Sequence, residues 1–141
     1  MVAHGGKSVK ADELLKNKVV ALYFSAGWCP PCRRFTPVLK TFYETLKDAS
    51  KNFEVVFVSR DRDSDSLLEY YNDHHGKWAY IEFGDAKIAE LLTKFEIKTI
   101  PALKVIKADG TVVVNDARSE VESKGANALK LFEEWQSHYE S

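Results

Sequence analysis

Residues 18–48 read KVVALYFSAGWCPPCRRFTPVLKTFYETLKD, and this stretch contains the clearest indication of the fold. Its first part, residues 18–26, is almost continuously apolar, which is typical of a strand buried on both faces. Residues 31–48 instead carry apolar side chains at intervals of three and four, the spacing of one helical face. The apolar face consists of Phe35, Val38, Leu39, Phe42, Tyr43 and Leu46. The stretch therefore predicts a buried strand, a short turn and a long amphipathic helix.

The rest of the chain alternates between these two patterns. Asp109-Gly110 lies between two β-rich runs, and such a pair is a strong hairpin signal because glycine accepts the positive φ of the turn. Strands that alternate with helices imply right-handed crossovers and a central sheet, and the hairpin makes that sheet mixed. We therefore predict a three-layer α/β/α fold, with helices on both faces of the sheet. The further strand patterns cover residues 53–59, 80–83, 103–107 and 111–114, and the further helical patterns cover residues 64–72, 87–95 and 126–139.

Length and composition are those of an ordinary globular chain. It has 141 residues, 45% of them hydrophobic and 29% charged, so we expect a single domain over residues 1–141, with residues 1–8 as a loose segment. The formal net charge of -1 does not imply a basic nucleic-acid-binding face, although a local basic patch stays open, and we expect no nucleic-acid partner. The N-terminal residues do not resemble a secretory signal, and no apolar run reaches the ~18–20 residues of a membrane span. We expect a monomer in the cytoplasm, or also in the nucleus, where thiols stay reduced.

The chain has two cysteines, Cys29 and Cys32, and both lie on the turn between the first strand and the long helix. A helix N-terminus favours negative charge, because its backbone N–H groups are unpaired and its dipole is positive there. This position favours a thiolate at Cys29, whereas Cys32, one turn into the helix, is expected to be less exposed. Pro30 and Pro31 suit the first helical turn, where a missing N–H costs no hydrogen bond.

Such a cysteine pair can bind a metal, form a structural disulfide or act as a redox centre. A zinc site needs four ligands, and the four histidines show no zinc-like spacing to the cysteines. A structural disulfide between residues this close would close too short a loop to stabilise the fold. A redox role is favoured. Cys29 would attack a substrate disulfide, and Cys32 would then attack Cys29 and release the reduced substrate.

Thr99-Ile100-Pro101 immediately precedes a predicted strand. The simplest interpretation is a trans proline in a tight turn, because proline is usually trans and is tolerated at a strand start. The alternative is a cis peptide between Ile100 and Pro101 beside Cys29. That arrangement would expose the Ile100 backbone for pairing with an extended substrate peptide. Sequence spacing alone leaves both open.

These features together resemble the thioredoxin superfamily over nearly the whole chain. The Trp-Cys-Pro-Pro-Cys motif at residues 28–32, followed by Phe-Thr-Pro at residues 35–37, is more similar to tryparedoxins and nucleoredoxins than to ordinary thioredoxins. The resemblance implies a thioredoxin fold, a cis Pro101, Cys29 as the nucleophile and Cys32 as the resolving thiol. It also implies a thiol–disulfide oxidoreductase, here a protein-disulfide reductase, that uses its own cysteine pair and no other cofactor.

Several residues are expected to contact the substrate. Trp28 precedes the nucleophile, and its place on the turn favours exposure over packing in the core. Trp78 can line the same groove or fill the core, and the sequence favours neither. Arg118 matches an arginine that the resemblance places after the hairpin. The predicted substrate-contacting residues are Trp28, Pro30, Pro31, Trp78, Ile100, Pro101 and Arg118.

Two positions depart from the resemblance. Thioredoxins have a buried aspartate beneath the cysteine pair, and Tyr23 stands there in this chain. The proton acceptor for Cys32 would then be water, another carboxylate such as Glu82, or the departing thiolate. Tryparedoxins reduce peroxidases with electrons from trypanothione and carry an acidic residue where this chain has Lys98.

Lys98 therefore weakens the case for a cationic thiol donor and favours the nucleoredoxin branch. This branch offers an alternative function, a redox-switched binding module that regulates a signalling partner. The expected partners are a disulfide-containing protein, such as a peroxiredoxin or a signalling protein, and a thiol or reductase that donates electrons.

Two polar segments have simpler explanations than a catalytic or metal-binding role. Residues 60–65 alternate in charge, and a solvated loop with Asp63 or Ser64 as a helix cap explains them better than a calcium loop. His74-His75-Gly76 is typical of a helix end, where a cationic histidine is favourable.

Overall fold

The computed structural model describes residues 2–4, 7–107 and 109–140 of the chain. The strands, in chain order, are β1 (Val2–His4), β2 (Lys7–Val9), β3 (Val19–Ser25), β4 (Phe53–Ser59), β5 (Ala79–Tyr80), β6 (Ala102–Ile106) and β7 (Val112–Val114). They form a seven-stranded sheet in the order β2-β1-β5-β4-β3-β6-β7. β3 pairs in parallel with β4 and antiparallel with β6, so the sheet is mixed, as predicted. Every residue of β3 and β4 is buried, which explains their continuous apolar runs.

Helices cover both faces of this sheet and bury a separate core on each. The helices are α1 (Ala11–Leu15), α2 (Pro30–Asp48), α3 (Ser64–His74), α4 (Ala86–Lys94), α5 (Ala117–Lys124) and α6 (Ala128–Glu140). The larger core contains side chains of α2, α3, α5 and α6, including Trp135, and the smaller core contains side chains of α1 and α4. The thioredoxin-type three-layer fold is therefore confirmed. Within the described residues, no helix has both the length and the apolar character needed to cross a membrane.

The edge of the sheet on which the parallel strands end positions the candidate site. β3, β4 and β5 are parallel neighbours, so the segments that follow them lie side by side. The cysteine turn follows β3, and residues 60–63 follow β4. β6 begins at the same edge because it runs antiparallel to β3, which brings the segment before Ala102 next to the cysteine turn.

Four regions differ from the sequence predictions. α1 was not predicted, and the strand expected over residues 80–83 is observed as the shorter β5 (Ala79–Tyr80). Where a loose segment was expected, β1 and β2 pair with each other and β1 pairs with β5; residues 1, 5 and 6 lie outside the described residues. Each of these strands has only three residues, too few to show a clear alternation. Helix α5 was not predicted, because only Ala117 and Val121 are buried in it and its other residues are polar or exposed.

Candidate active site

Cys29 lies where β3 leads into α2. It is the N-cap residue of this helix, with extended backbone, and Pro30 and Pro31 occupy the first helical positions. The Cys29 sulfur accepts a hydrogen bond from the backbone N–H of Cys32, with a separation of 3.4 Å. A helix start leaves such N–H groups without helical partners, so they favour an anionic sulfur at this position. The predicted strand-to-helix placement of the pair is confirmed.

The two cysteines, both free thiols here, differ in their access to solvent. Cys29 has 5% of its surface exposed, and Cys32 has none. Loss of hydration raises the pKa of Cys32 above that of a free thiol, and hydrogen bonding with Cys29 adds to this rise. Hydrogen bonding by the Ala26 backbone and the Ser25 side chain lowers the pKa of Cys32 and partly offsets the rise. Cys32 is less exposed than Cys29, as predicted.

The segment before β6 contacts the cysteine pair. The Ile100–Pro101 peptide bond is cis, as the resemblance implies. The Ile100 carbonyl oxygen lies 3.8 Å from the Cys29 sulfur, and Ile100 packs against a small cluster of Ala26, Cys29 and Cys32. Of the two alternatives that the sequence left open, the structure has the cis proline beside Cys29.

Trp28 projects from the cysteine turn and is 55% exposed, as predicted. Its indole N–H donates to the Arg60 carbonyl oxygen at 3.0 Å, which connects the ring to the segment after β4. The neighbouring Asp61 carboxylate accepts from the backbone N–H of Gly27 at 2.9 Å and from the Ser59 hydroxyl at 2.6 Å. Asp61 and Arg60 thus hold the turn that presents Trp28.

Asp61 is a site residue that the sequence prediction missed. The prediction of a solvated loop over residues 60–65 is wrong for Asp61, because this residue is buried and both of its carboxylate oxygens accept hydrogen bonds. Its place two residues after the end of β4 was the available signal, since the residues that follow two parallel neighbouring strands meet at one edge of the sheet. The same loop does contain the predicted cap, because Asp63 accepts from the Ser66 N–H at the start of α3.

Two clefts border the segments that flank the cysteine pair, one at Trp28 and one at Pro101. The first, which we call the Trp28 cleft, encloses about 370 Å³ and is lined by Trp28, Arg33, Arg62, Glu69, Tyr70 and His74, among others. The second, the Arg118 cleft, encloses about 450 Å³ and is lined by Thr99, Pro101, Lys104, Asp116 and Arg118, among others. Neither contains a cluster for a metal ion, because no group of three or more His, Cys, Asp or Glu is suitably placed among the described residues.

Arg118 is held in place within its cleft. Its Nε donates to the Glu122 carboxylate at 2.7 Å, and the guanidinium lies 6.0 Å from the centre of the Phe35 ring. The guanidinium therefore stays beside Pro101, which lines the same cleft. Six of the seven predicted substrate-contacting residues lie on the cysteine turn, at the cis proline or in this cleft, namely Trp28, Pro30, Pro31, Ile100, Pro101 and Arg118.

Trp78 is the seventh, and the prediction that it contacts the substrate is wrong. Its side chain is completely buried, and its indole N–H donates to His75 Nδ1 at 3.0 Å. Its ring stands edge-on to the rings of Tyr23 and Tyr43, with centroids 6.3 Å and 5.3 Å away. Trp78 directly precedes β5, beside central β4, and this position directs it into the larger core.

Four buried hydroxyl groups form a hydrogen-bonded chain beneath Cys32, which we call the hydroxyl chain. In order, the hydroxyl groups belong to Tyr23, Thr36, Tyr70 and Ser25. Each hydroxyl oxygen lies 2.7 Å from the next. The Thr36 hydroxyl also donates to the Cys32 carbonyl oxygen at 2.8 Å. Burial raises the pKa of Tyr23 and of Tyr70, which keeps both phenols neutral.

Of these residues, sequence reasoning singled out only Tyr23. Ser25 and Thr36 carried a weak signal, because each is a polar residue within an otherwise apolar buried pattern. Glu82, considered from the sequence as a proton acceptor for Cys32, is exposed, and its carboxylate accepts a hydrogen bond from Ser8. Its carboxylate is thereby directed toward β2, at the edge of the sheet, and does not face Cys32.

His75 supports the hydroxyl chain from the side of α3. Its ring packs against those of Phe57 and Tyr70, with both centroids 4.3 Å away. Nδ1 accepts from Trp78, and Nε2 is a buried nitrogen without a hydrogen-bond partner among the described residues. Burial, together with the nearby His74, lowers the pKa of His75 to about 3. The expectation of a cationic histidine at this helix end is therefore wrong for His75.

This buried imidazole should make the fold sensitive to acid. The unfolded chain gains a proton at His75 below pH 6.5, whereas the folded chain resists protonation down to about pH 3, so stability falls as the pH drops through this window. We expect the free energy of unfolding to fall by up to about 1.4 kcal/mol per pH unit from this group. His75→Gln, which keeps an acceptor for Trp78, should reduce the loss seen by urea unfolding between pH 6.5 and 5. The matched variant His74→Gln, at the exposed neighbouring position, should retain the wild-type slope.

Comparisons of sequence agree with this geometry. A family model described as thioredoxin-like matches residues 17–112. A tryparedoxin of Trypanosoma brucei brucei is 44% identical over 119 residues, covering 80% of this chain and 79% of that protein. A probable nucleoredoxin 1 of Arabidopsis thaliana is 40% identical over 130 residues, covering 92% of this chain and 22% of that protein. The chain spans about a quarter of the length of the nucleoredoxins that it matches.

Solved structures give the same result. A thioredoxin of Wuchereria bancrofti superposes with a TM-score of 0.80 at 44% identity, covering 94% of this chain and 90% of that one. A tryparedoxin II, solved in complex with glutathionylspermidine, superposes with a TM-score of 0.78 at 38% identity, covering 87% of this chain and 85% of that one. With the family match over residues 17–112, these relatives show that the chain belongs to the thioredoxin-like family, alongside the tryparedoxins and nucleoredoxins.

Proposed function

We propose that the protein is a thiol–disulfide oxidoreductase that reduces disulfides by dithiol exchange. The Cys29 thiolate attacks a substrate disulfide, forms a mixed disulfide and expels the first substrate thiolate. Cys32, as a thiolate, then attacks the Cys29 sulfur, which breaks the mixed disulfide, expels the second substrate thiolate and closes the Cys29–Cys32 disulfide. The substrate gains two electrons, and the protein is reset when an external thiol or reductase returns two electrons to the pair.

The observation that carries this proposal is the arrangement of the two sulfurs. Cys29 caps α2, has the only exposed surface of the pair and lies against the Ile100 carbonyl, whereas Cys32 lies behind it without exposed surface. A nucleophile at a helix start, with a second thiol one turn further on, suits a two-step exchange. The exchange requires no group beyond these two cysteines, so we propose that the protein uses no other cofactor.

The clefts on either side favour a disulfide held in an extended peptide. The half-buried Ile100, next to the buried cis proline, offers backbone groups beside Cys29 for pairing with such a peptide. Trp28 supplies an exposed aromatic surface on one side, and Arg118 supplies a fixed cation on the other. We propose a protein substrate, such as a peroxiredoxin or a signalling protein.

The electron donor is proposed to be a thiol or a reductase without strong positive charge. Lys98 is exposed immediately before Thr99, which lines the Arg118 cleft, and a cationic donor would be repelled there. We place the reaction in the cytoplasm or the nucleus, where thiol donors are abundant.

Trapping tests this function and identifies the substrate. Cys32→Ser lacks the resolving thiol, so the mixed disulfide on Cys29 should persist. We expect this variant, expressed in cells and purified after alkylation of free thiols, to carry substrates that are released by dithiothreitol and identified by mass spectrometry.

The matched control is the double variant Cys29→Ser with Cys32→Ser, which should carry none of these proteins. Recovery of the same proteins with both variants would contradict disulfide exchange. The redox-switched binding module would instead be favoured by two results together. The double variant would still bind the partner, and binding by the wild type would change with the oxidation state of its cysteines.

A further inference from the structure

We propose that the hydroxyl chain takes the place of a carboxylate beneath Cys32. In this proposal Ser25 is the residue that donates a hydrogen bond to the Cys32 thiolate, and Tyr70 and Thr36 are positioning residues that act through Ser25. The inference rests on the proposed dithiol exchange and concerns its second step, the attack of Cys32 on the mixed disulfide.

The need for such a donor follows from the surroundings of Cys32. The titratable groups that face it are Cys29 from the N-cap, Tyr23 from β3 and Tyr70 from α3, and none of them is a carboxylate. Arg33, one residue further along α2, is directed outward to the Gly27 carbonyl and to His74. A thiolate buried here therefore lacks a counter-ion and depends on hydrogen bonds for its stability.

The carboxylates elsewhere at this edge do not supply a base for Cys32. Both oxygens of Asp61 accept hydrogen bonds from Gly27 and Ser59 in the segments after β3 and at the end of β4. Buried Glu54 lies at the opposite end of β4, where it accepts from Tyr43. The polar groups that hydrogen-bond to Cys32 are therefore the Ala26 backbone and the Ser25 side chain and, at its carbonyl oxygen, the Tyr23 and Thr36 hydroxyls.

Counting protons shows that the hydroxyl chain can adopt two arrangements. The Thr36 proton is fixed on the Cys32 carbonyl, so Thr36 accepts from its tyrosine neighbours. While Cys32 is a thiol, Ser25 can donate to Tyr70, and Tyr70 can donate to Thr36. When Cys32 is a thiolate, Ser25 turns its proton to the sulfur and Tyr70 turns its proton to Ser25. Each hydroxyl donates one hydrogen bond in both arrangements, so rotation of two O–H bonds adapts the site to the new charge.

The proton that Cys32 loses does not pass through the hydroxyl chain. The first substrate thiolate, expelled by Cys29, is a base, and it takes the Cys32 proton and departs as a thiol. Cys32 is left as the thiolate that attacks Cys29. The hydroxyl chain stays neutral throughout and lowers the free energy of this thiolate by donating to it.

The two steps can be timed separately with a chromogenic aromatic disulfide added in equimolar amount to the reduced protein. Cys29 releases the first coloured thiolate, and Cys32 releases the second. Because an aromatic thiolate is a weak base, the buffer takes the Cys32 proton in this assay. We expect Ser25→Ala to slow the second phase by about tenfold to a hundredfold, the value of one hydrogen bond to a charged group. The pH midpoint of this phase should also rise, while the rate of the first phase stays within about twofold.

Tyr70→Phe removes a single hydroxyl and keeps the ring that packs on His75. We expect it to slow the second phase by about threefold through weaker polarisation of Ser25, with no additional effect when combined with Ser25→Ala. Tyr71→Phe is the matched control, because its hydroxyl donates to the Trp78 carbonyl oxygen and does not touch the hydroxyl chain. It should leave both phases at their wild-type rates.

The outcomes separate this proposal from the proposed function. A wild-type protein that releases neither thiolate would overturn the dithiol exchange itself. If the wild type shows both phases, a Ser25→Ala variant with an unchanged second phase, or with both phases slowed equally, overturns the role of Ser25. If Ser25→Ala does not fold, a Tyr70→Phe second phase identical to the wild type in rate and pH midpoint overturns the proposal.

Discussion

Cys29→Ser is expected to abolish disulfide reduction, with a loss of about a thousandfold or more in turnover. The thiolate is the attacking species, and a serine hydroxyl at the same N-cap position does not ionise at neutral pH. A hydroxyl at this position can still cap α2, so the free energy of unfolding should change little. The measurement is the reduction of a protein disulfide under a continuous supply of dithiothreitol, with thermal unfolding as the check on folding.

Cys32→Ser is the informative comparison. It retains the nucleophile, so it should still expel one substrate thiolate per protein molecule and then stop as a stable mixed disulfide. The unequal exposure of the two cysteines indicates that Cys29 attacks first. Equal activities of the wild type and Cys29→Ser would contradict this order. Steady turnover by Cys32→Ser without a competing thiol would contradict it as well.

Trp78→Ala is expected to lower the free energy of unfolding by about 3–5 kcal/mol. The side chain is fully buried, touches the rings of Tyr23, Tyr43 and His75, and hydrogen-bonds to His75, so its removal leaves a cavity and an unpaired imidazole nitrogen. Urea unfolding monitored by circular dichroism measures the change. The KM for a disulfide substrate should stay near the wild-type value wherever the variant remains folded.

Trp28→Ala gives the opposite pattern and serves as the control. Because Trp28 is 55% exposed, we expect its loss to change the free energy of unfolding by less than about 1 kcal/mol. The KM for a protein substrate should rise severalfold, since the exposed ring borders the cysteine turn. A stable Trp78→Ala variant with a raised KM would contradict a purely structural role for Trp78.

The sequence predicts the long elements well because their patterns are set by burial. β4 is observed over the predicted residues 53–59, and α2 (Pro30–Asp48) begins one residue before its prediction. Both elements leave a clear hydrophobic pattern: β4, buried on both faces, leaves a continuous apolar run, and α2, buried on one face, leaves apolar residues at helical spacing. α5 leaves almost none, since its contact with the core consists of Ala117 and Val121.

The candidate site is only partly predictable, for a different physical reason. Cys29 and Cys32 lie on one local turn, so their placement follows from the strand and helix that flank it. The cooperation of Ser25, Thr36 and Tyr70 depends on contacts between β3, α2 and α3, and local spacing does not reveal it. Trp78 was ambiguous because its burial depends on where the two-residue β5 joins the sheet.

The unequal burial of the two sulfurs also bears on oxidative damage. An oxidant such as peroxide reaches Cys29 first, because Cys32 has no exposed surface. A sulfenic acid formed at Cys29 lies beside the Cys32 thiol, which can condense with it to a disulfide and release water. Irreversible sulfinic acid requires a second oxidation before that condensation. We therefore expect the buried thiol to limit peroxide damage to a disulfide, which the proposed thiol or reductase donor can reduce.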